Sequence, residues 1–131
     1  MKRIGNIFNE IIDLHNLQVA DMLARRGKAH NKEIVAFDKD RDSLLRQLHQ
    51  SLADGTFRTS PYSCFTVYEP KERLIFKLPY YPDRIVQHAI MLVLEPIWTR
   101  TFTHNTYSCI VGRGIDGCAK RVDSLISRFD G

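Results

Sequence analysis

The chain has 131 residues, 44% of them apolar, and its 19 lysines and arginines against 15 aspartates and glutamates leave a formal net charge of +4. This is the size of one domain or a piece of one, able to bury a core, and its mild basic excess permits a polyanionic partner without requiring one. The longest apolar run, Ala89 to Leu94, is far below the roughly 20 residues of a spanning helix, so no membrane segment is expected.

Ile4, Phe8, Ile11 and Ile12, then Leu17, Ala20, Met22 and Leu23, recur at helical spacing and predict two helices meeting near His15-Asn16, with Gly27 as the stop. Asn6, Asn9, Glu10 and Asp13 interrupt any secretory apolar region behind Met1-Lys2-Arg3, and a cytoplasmic location is expected. Around Gly27 stand Arg25, Arg26, Lys28, His30 and Lys32. They fit two readings: cations compensating a helix C-terminus on a solvated surface, or nucleic-acid contacts, for which Arg25, Arg26 and Lys28 are the candidates. Phe37, Leu44, Leu45, Leu48 and Leu52 predict one amphipathic helix, stopped by Ala53-Asp54-Gly55. Within it Asp38, Asp40 and Asp42 imitate the start of a calcium loop. Ser43 and His49 stand where that loop needs Gly and Glu, so the three aspartates read as a solvated helical face.

Thr59-Ser60-Pro61 leads into the stretch around which the chain is organised, Phe65 to Gln87. Two short runs rich in β-branched and aromatic residues flank Glu69-Pro70-Lys71-Glu72, which predicts a β-hairpin. Alternation along its second arm puts Lys71, Arg73, Ile75 and Lys77 on one face and Leu74, Phe76 and Leu78 on the other, one face cationic and the other expected in the core. Tyr80-Tyr81-Pro82-Asp83 breaks the strand, and Arg84 opens an apolar helix. Several cations fixed on a short rigid unit suit phosphate groups, which need several donors held at once.

Ile85, Val86, Ala89, Ile90, Val93 and Leu94 cover so much of the next helix that it is expected to be buried, with Pro96 kinking or ending it. Gln87 and His88 inside it read as satisfied boundary groups rather than catalysts. Thr99 to Tyr107 predicts a loop or short extended piece. Gly112-Arg113-Gly114 predicts tight backbone geometry presenting Arg113, suited to phosphate or backbone recognition or forming a plain turn. Ile115, Ala119, Val122, Leu125, Ile126 and Phe129 make one face of a last helix. The fold class is therefore α+β, mainly helical with a short antiparallel β-hairpin.

Much familiar chemistry has no motif here. Cys64, Cys109 and Cys118 are odd in number and lack CxxC spacing, so reduced thiols are expected rather than disulfides. The histidines form no HExxH pair, and no metal site is expected. There is no GxSxG elbow and no GxxxxGK[ST] loop, and Gly112-Arg113-Gly114 lacks the third glycine of a dinucleotide fingerprint. Cations without a nucleophile or a carboxylate pair make half of a phosphoryl-transfer site: electrostatic positioning without metal-binding carboxylates.

Leu17 to Lys28 (LQVADMLARRGK), Leu52 to Phe57 (LADGTF), Glu69 to Arg73 (EPKER), Asp83 to Ile97 (DRIVQHAIMLVLEPI) and Tyr107 to Gly114 (YSCIVGRG) resemble, in order and spacing, the N-terminal part of bacterial reverse transcriptases. The likeness is to the group II intron and diversity-generating retroelement branch, closest to the latter, and spans nearly the whole chain. It implies that residues 1–131 are the fingers and the start of the palm of an RNA-directed DNA polymerase, a nucleotidyltransferase. By position it implies Lys71 and Arg73 as ligands of the triphosphate of an incoming deoxynucleotide, with Lys77 and Arg84 as further candidates. Arg113 would lie near template or nucleotide. The implied partners are an RNA template, a DNA primer and deoxynucleoside triphosphates, and no membrane.

The palm aspartates of that family, in a later strand motif and a YxDD motif, have no counterpart in this sequence, and Asp130, after Phe129, is not the first of them. Two-metal nucleotidyl transfer needs such carboxylates. The resemblance thus implies an N-terminal fragment of a longer enzyme, with no catalytic residue or cofactor of its own and Mg2+ required only by the full-length protein. Trp98, Phe102, Phe129 and the apolar face of the last helix are then expected to be partly exposed and open to self-association. The alternative is a non-catalytic module that binds nucleic acid or a protein through the same basic face.

Overall fold

A computed structural model describes residues 3–129. Asp130 lies outside the described residues. The elements are α1 (Ile7–Ile12), α2 (Leu14–Ala24), α3 (Lys32–Asp38), α4 (Arg41–Ala53), β1 (Ser63–Val67), β2 (Arg73–Lys77), α5 (Ile85–Thr101) and α6 (Ile115–Phe129). The chain is mainly helical with one two-stranded antiparallel sheet, an α+β fold. Packing divides it into two compact units, Met1–Leu94 and Glu95–Gly131, the boundary falling inside α5. No helix among the described residues is long and apolar enough to cross a membrane.

In the first unit the expected pair of N-terminal helices forms, and the junction is Asp13. Its extended backbone stops α1, and its carboxylate caps α2 by accepting the His15 and Asn16 amide hydrogens at 2.9 and 3.3 Å. The break frees carbonyls at the end of α1, and two side chains collect them. Asn16 Nδ2 donates to the Ile11 carbonyl at 2.9 Å and to the Ala89 carbonyl of α5 at 3.1 Å. His49 Nδ1 lies 2.7 Å from the Ile12 carbonyl, which can only accept, so this nitrogen carries the proton.

Gly27 and Gly55 both adopt positive φ, 72° and 70°, in the turns after α2 and α4, where side-chain-bearing residues would be strained. The single helix expected from Phe37 to Leu52 is two helices in the structure. Asp40 leaves helical geometry (φ −130°, ψ 29°), and this break separates α3 from α4. Phe37 can then turn inward, stacked on Tyr81 at 5.3 Å and edge-on to Tyr80 at 5.6 Å, while Asp38, exposed as expected, pairs with Arg25. The core is Leu17, Ala20 and Ala24 of α2, Ile34 and Phe37 of α3, Leu45, Leu48 and Leu52 of α4, and Ile85, Val86 and Ala89 of α5. Truncating any of its large members should cost about 2–5 kcal/mol.

β1 and β2 pair from Ser63 with Lys77 to Val67 with Arg73, so Phe65 and Ile75 are cross-strand neighbours on the face that carries Arg73 and Lys77. This arrangement corrects the expected burial. Leu74 and Phe76, expected in the core, are 57% and 62% exposed, whereas Ile75, on the cationic face, is the half-buried residue of β2. The reason is that Phe65 and Ile75 face the same cleft as the apolar Ala24 and Ile34 of the helices, with Lys77 at the root of the hairpin paired to Glu33 of α3. The segment Tyr80–Arg84 forms one irregular turn with Tyr81 extended, and α5 follows directly. Asp83 is buried in that turn. One of its oxygens accepts the Ser60 amide hydrogen at 3.1 Å, tying the entry of the hairpin to its exit, and the other has no protein partner.

In the second unit α5 runs through Pro96 to Thr101, so Pro96 does not end the helix and Thr99–Thr101 are its last turn rather than a loop. Arg113 is half-buried rather than presented. Its amide bonds the Ile110 carbonyl at 3.0 Å and its guanidinium the Thr103 carbonyl at 3.1 Å, closing the loop with Gly112 at φ 79°. α6 has the expected apolar face. Val122 and Ile126 are half exposed, Ile115 and Phe129 largely so, and Trp98 and Phe102 are each 44% exposed.

Candidate nucleic-acid interface

Lys77 and Arg84, expected together as phosphate ligands, and Lys28, expected in the separate cluster around Gly27, line one cleft of about 300 Å³ in the first unit. Each arrives by a local rule. Gly27 turns the chain so that Lys28 follows the end of α2, Lys77 ends β2, and Arg84 stands at the mouth of α5. The aromatic residues Tyr62 and Phe65 also line the cleft, together with the amides of Asn31 and Gln87. Beside the cleft, burial and then the charges of Arg84 and Lys28 hold the His88 imidazole below its ordinary pKa.

Glu33 is the carboxylate in this cleft. It pairs with Lys77 and accepts the Tyr80 amide hydrogen at 2.9 Å. The Lys77 hydrogen bond, followed by the Tyr80 amide, holds its pKa below the ordinary range despite some burial. Asn31, as the cap of α3, accepts the Glu33 amide hydrogen at 2.9 Å and so fixes the carboxylate's position.

Behind the cleft lies a buried hub on Asp21, whose side chain is inaccessible to solvent. Arg25 Nη2 donates to it at 2.8 Å, Arg41 Nε at 2.6 Å, and the Tyr80 hydroxyl also donates to it. Burial alone would raise the Asp21 pKa, but the hydrogen bonds from Tyr80, Arg25 and Arg41 together outweigh it, and the carboxyl stays ionised below its ordinary range. Burial, then the bond to Asp21, pushes the Tyr80 phenol up, so it remains a donor at neutral pH. Arg25 forks onto Asp38 as well, at 2.8 and 3.0 Å. The hub joins α2, α3, α4 and the exit of the hairpin, which is how the position of Lys77 relative to Lys28 is fixed.

The remaining expected cations are distributed as follows. Lys71 lies in the exposed turn of the hairpin, and Arg73 opens β2, roughly 13 Å along the strand from Lys77. Among the described residues neither forms an ion pair, so Arg73 is not held by Glu69 or Glu72. Arg26 is exposed, Arg25 belongs to the hub, and Arg113 belongs to the second unit. Asp21, Glu33, Arg41 and the cleft aromatics escaped the sequence reading. Only Tyr80-Tyr81 carried a signal, as a strand break. Among the described residues no group of three or more His, Cys, Asp or Glu is placed to hold a metal ion.

No family model matches the chain. Over 100 residues, 76% of its length, it is 26% identical to the nuclear intron maturase 4, mitochondrial, of Arabidopsis thaliana. The chain spans only 12% of that protein. The similarity supports a coarse relationship to reverse-transcriptase- and maturase-type proteins.

Proposed function

We propose that this chain is the template- and nucleotide-binding fingers portion, with the beginning of the palm, of an RNA-directed DNA polymerase of the intron and retroelement type, not competent for polymerisation alone. The observation that carries the reading is the convergence of Lys28, Lys77 and Arg84 on one aromatic-walled cleft beneath the hairpin. Three donors at one opening match a polynucleotide backbone, whose phosphates recur along the strand and bind by electrostatic contact without sequence selection. The similarity to an intron maturase and the ordered motifs from Leu17 to Gly114 support the same assignment. On this reading Lys28 and Arg84 hold template or primer backbone. Lys71 and Arg73, farther out on the hairpin, meet the triphosphate of the incoming nucleotide, and Lys77 stands between the two groups. The palm carboxylates that would hold Mg2+ belong to a part of the enzyme with no counterpart in this sequence.

The test is a fluorescence-anisotropy titration with single-stranded RNA and with an RNA–DNA hybrid. Binding to several unrelated sequences with similar affinity, lost in the double variant Lys28→Glu/Arg84→Glu, is the expected result. Failure of either substrate to bind, or binding that the double variant leaves unchanged, would overturn the assignment.

A further inference from the structure

Each unit leaves one apolar surface open, and the two surfaces differ in kind. In the hairpin the register pairs Cys64 with Phe76 and Thr66 with Leu74, so these four share the face opposite Arg73 and Lys77, and Tyr62 is braced edge-on against Phe76 at 6.1 Å. This strip carries no charge, and Tyr62, Leu74 and Phe76 are each more than half exposed. A two-stranded sheet of this kind lacks the third strand or covering helix that a stable sheet needs. In α6, Cys118 and Leu125 are half-buried, and a side chain added at Gly117 would begin 3.7 Å from Tyr107, so the helix packs on its own unit by that side. Ile115, Ala119, Val122, Ile126 and Phe129 recur at steps of four and three residues along another side, and all five are exposed. The helix therefore carries a second apolar stripe beyond the side it already packs.

We propose that these surfaces bind each other between copies of this chain, the α6 stripe of one copy lying across the hairpin strip of another. They match in size: the stripe runs about 21 Å along its helix and the five-residue strands about 17 Å. With about 200 Å² for a large apolar side chain, the exposed fractions leave roughly 500 Å² on each surface. Together that is about 1,000 Å², the lower bound for a specific interface and the size of a weak, reversible one. They match in charge as well. Neither surface holds a charged side chain, so a chain of net charge +4 can meet its copy here without burying an ion, with Arg73 and Lys77 left on the opposite face. A helix laid on a sheet covers both surfaces, whereas stripe on stripe would leave the hairpin strips bare and strip on strip would leave the stripes bare. Each copy carries one surface of each kind, so the contact is heterologous, the hairpin of one copy meeting the α6 of the next. It needs no nucleic acid and is separate from the function proposed above.

The experiment is sedimentation velocity over about 1 to 100 μM, the range in which a weak interface of this size dissociates. Four samples are compared: the wild-type chain, Leu74→Thr/Phe76→Thr, Val122→Glu/Ile126→Glu, and an equimolar mixture of the two variants. The wild type should associate as concentration rises. Each variant alone should stay monomeric, because one has lost the strip and the other the stripe. The mixture should form a one-to-one complex, since the intact stripe of the hairpin variant meets the intact strip of the α6 variant. Restoration by mixing also shows that neither loss came from misfolding. Association of the hairpin variant alone would mean that stripe pairs with stripe, and association of the α6 variant alone that strip pairs with strip; either result overturns the proposal. A mixture that stays monomeric overturns it too, as does a wild type that is monomeric throughout. None of these outcomes bears on the RNA titration, so the nucleic-acid reading stands or falls separately.

Discussion

Glu33 and Asp21 are two carboxylates with opposite consequences for the cleft. Glu33 competes with any incoming phosphate for Lys77. The pair is half-exposed on both sides, a setting in which such contacts are worth about 0–1 kcal/mol. Glu33→Gln keeps an acceptor for the Tyr80 amide but releases Lys77, so RNA affinity by anisotropy should rise by up to about fivefold. A fall would mean that the glutamate serves only to hold the hairpin. Asp21 is fully buried with two arginines on it. Asp21→Asn leaves those guanidiniums without their counter-charge and should lower stability in urea denaturation by roughly 2–4 kcal/mol, discounted for the partial exposure of the arginines. Both carboxyls titrate below their ordinary range in the fold. Their stabilising effect is therefore complete above about pH 5 and lost as pH falls through about 4 and lower, and the asparagine variant should show a flatter acid limb. His88, held low, works in a higher window: the unfolded chain takes its proton near pH 6.5 and the fold resists it, so stability should begin to decline there as pH falls.

At the scale of elements, the hairpin was legible because β-branched and aromatic runs flank a Pro-containing turn, and α6 because one apolar face recurs over its whole length. Which face of the hairpin meets the body was not legible. Alternation separates two faces without saying which is covered, and here tertiary placement of Phe65 and Ile75 beside Ala24 and Ile34 sets it, with the Lys77–Glu33 pair at the root. The split of α3 from α4 was equally hidden. Nothing in Asp38-Lys39-Asp40 breaks a helix by propensity alone, and the benefit of the break lies in tertiary contacts of Phe37 and Asp38. Of the candidate interface, the cations were readable as basic residues near a hairpin and a helix stop, whereas their convergence depends on a buried hub whose members are far apart in sequence. The corrected face gives a direct expectation. Leu74→Thr with Phe76→Thr should change the urea midpoint by less than about 1 kcal/mol equivalent, as surface exchanges do, while Ile85→Ala should cost about 2–5 kcal/mol. A large loss in the hairpin variant would return Leu74 and Phe76 to the core.

For the whole molecule, two surfaces set behaviour: an apolar face on α6 on which Val122, Ile126 and Phe129 are exposed, and a cationic cleft in the first unit. The exposed Val122, Ile126 and Phe129 should drive concentration-dependent association in sedimentation velocity, and Val122→Glu/Ile126→Glu should return the chain to monomer. A monomer at every concentration in the unmodified chain would contradict this. The reading of the protein as a nucleic-acid-binding portion of a polymerase depends on the cleft cations acting together on phosphates. Each phosphate neutralised on a single strand contributes about 0.7 to the slope of log affinity against log salt. The decisive measurement is therefore that slope for single-stranded RNA in the wild type and in Lys28→Ala, Lys77→Ala and Arg84→Ala. The expected result is a wild-type slope of about −2 that becomes shallower by about 0.7 in each single variant. A slope near zero, or one that none of these substitutions changes, would contradict the assignment of the cleft to a nucleic-acid backbone.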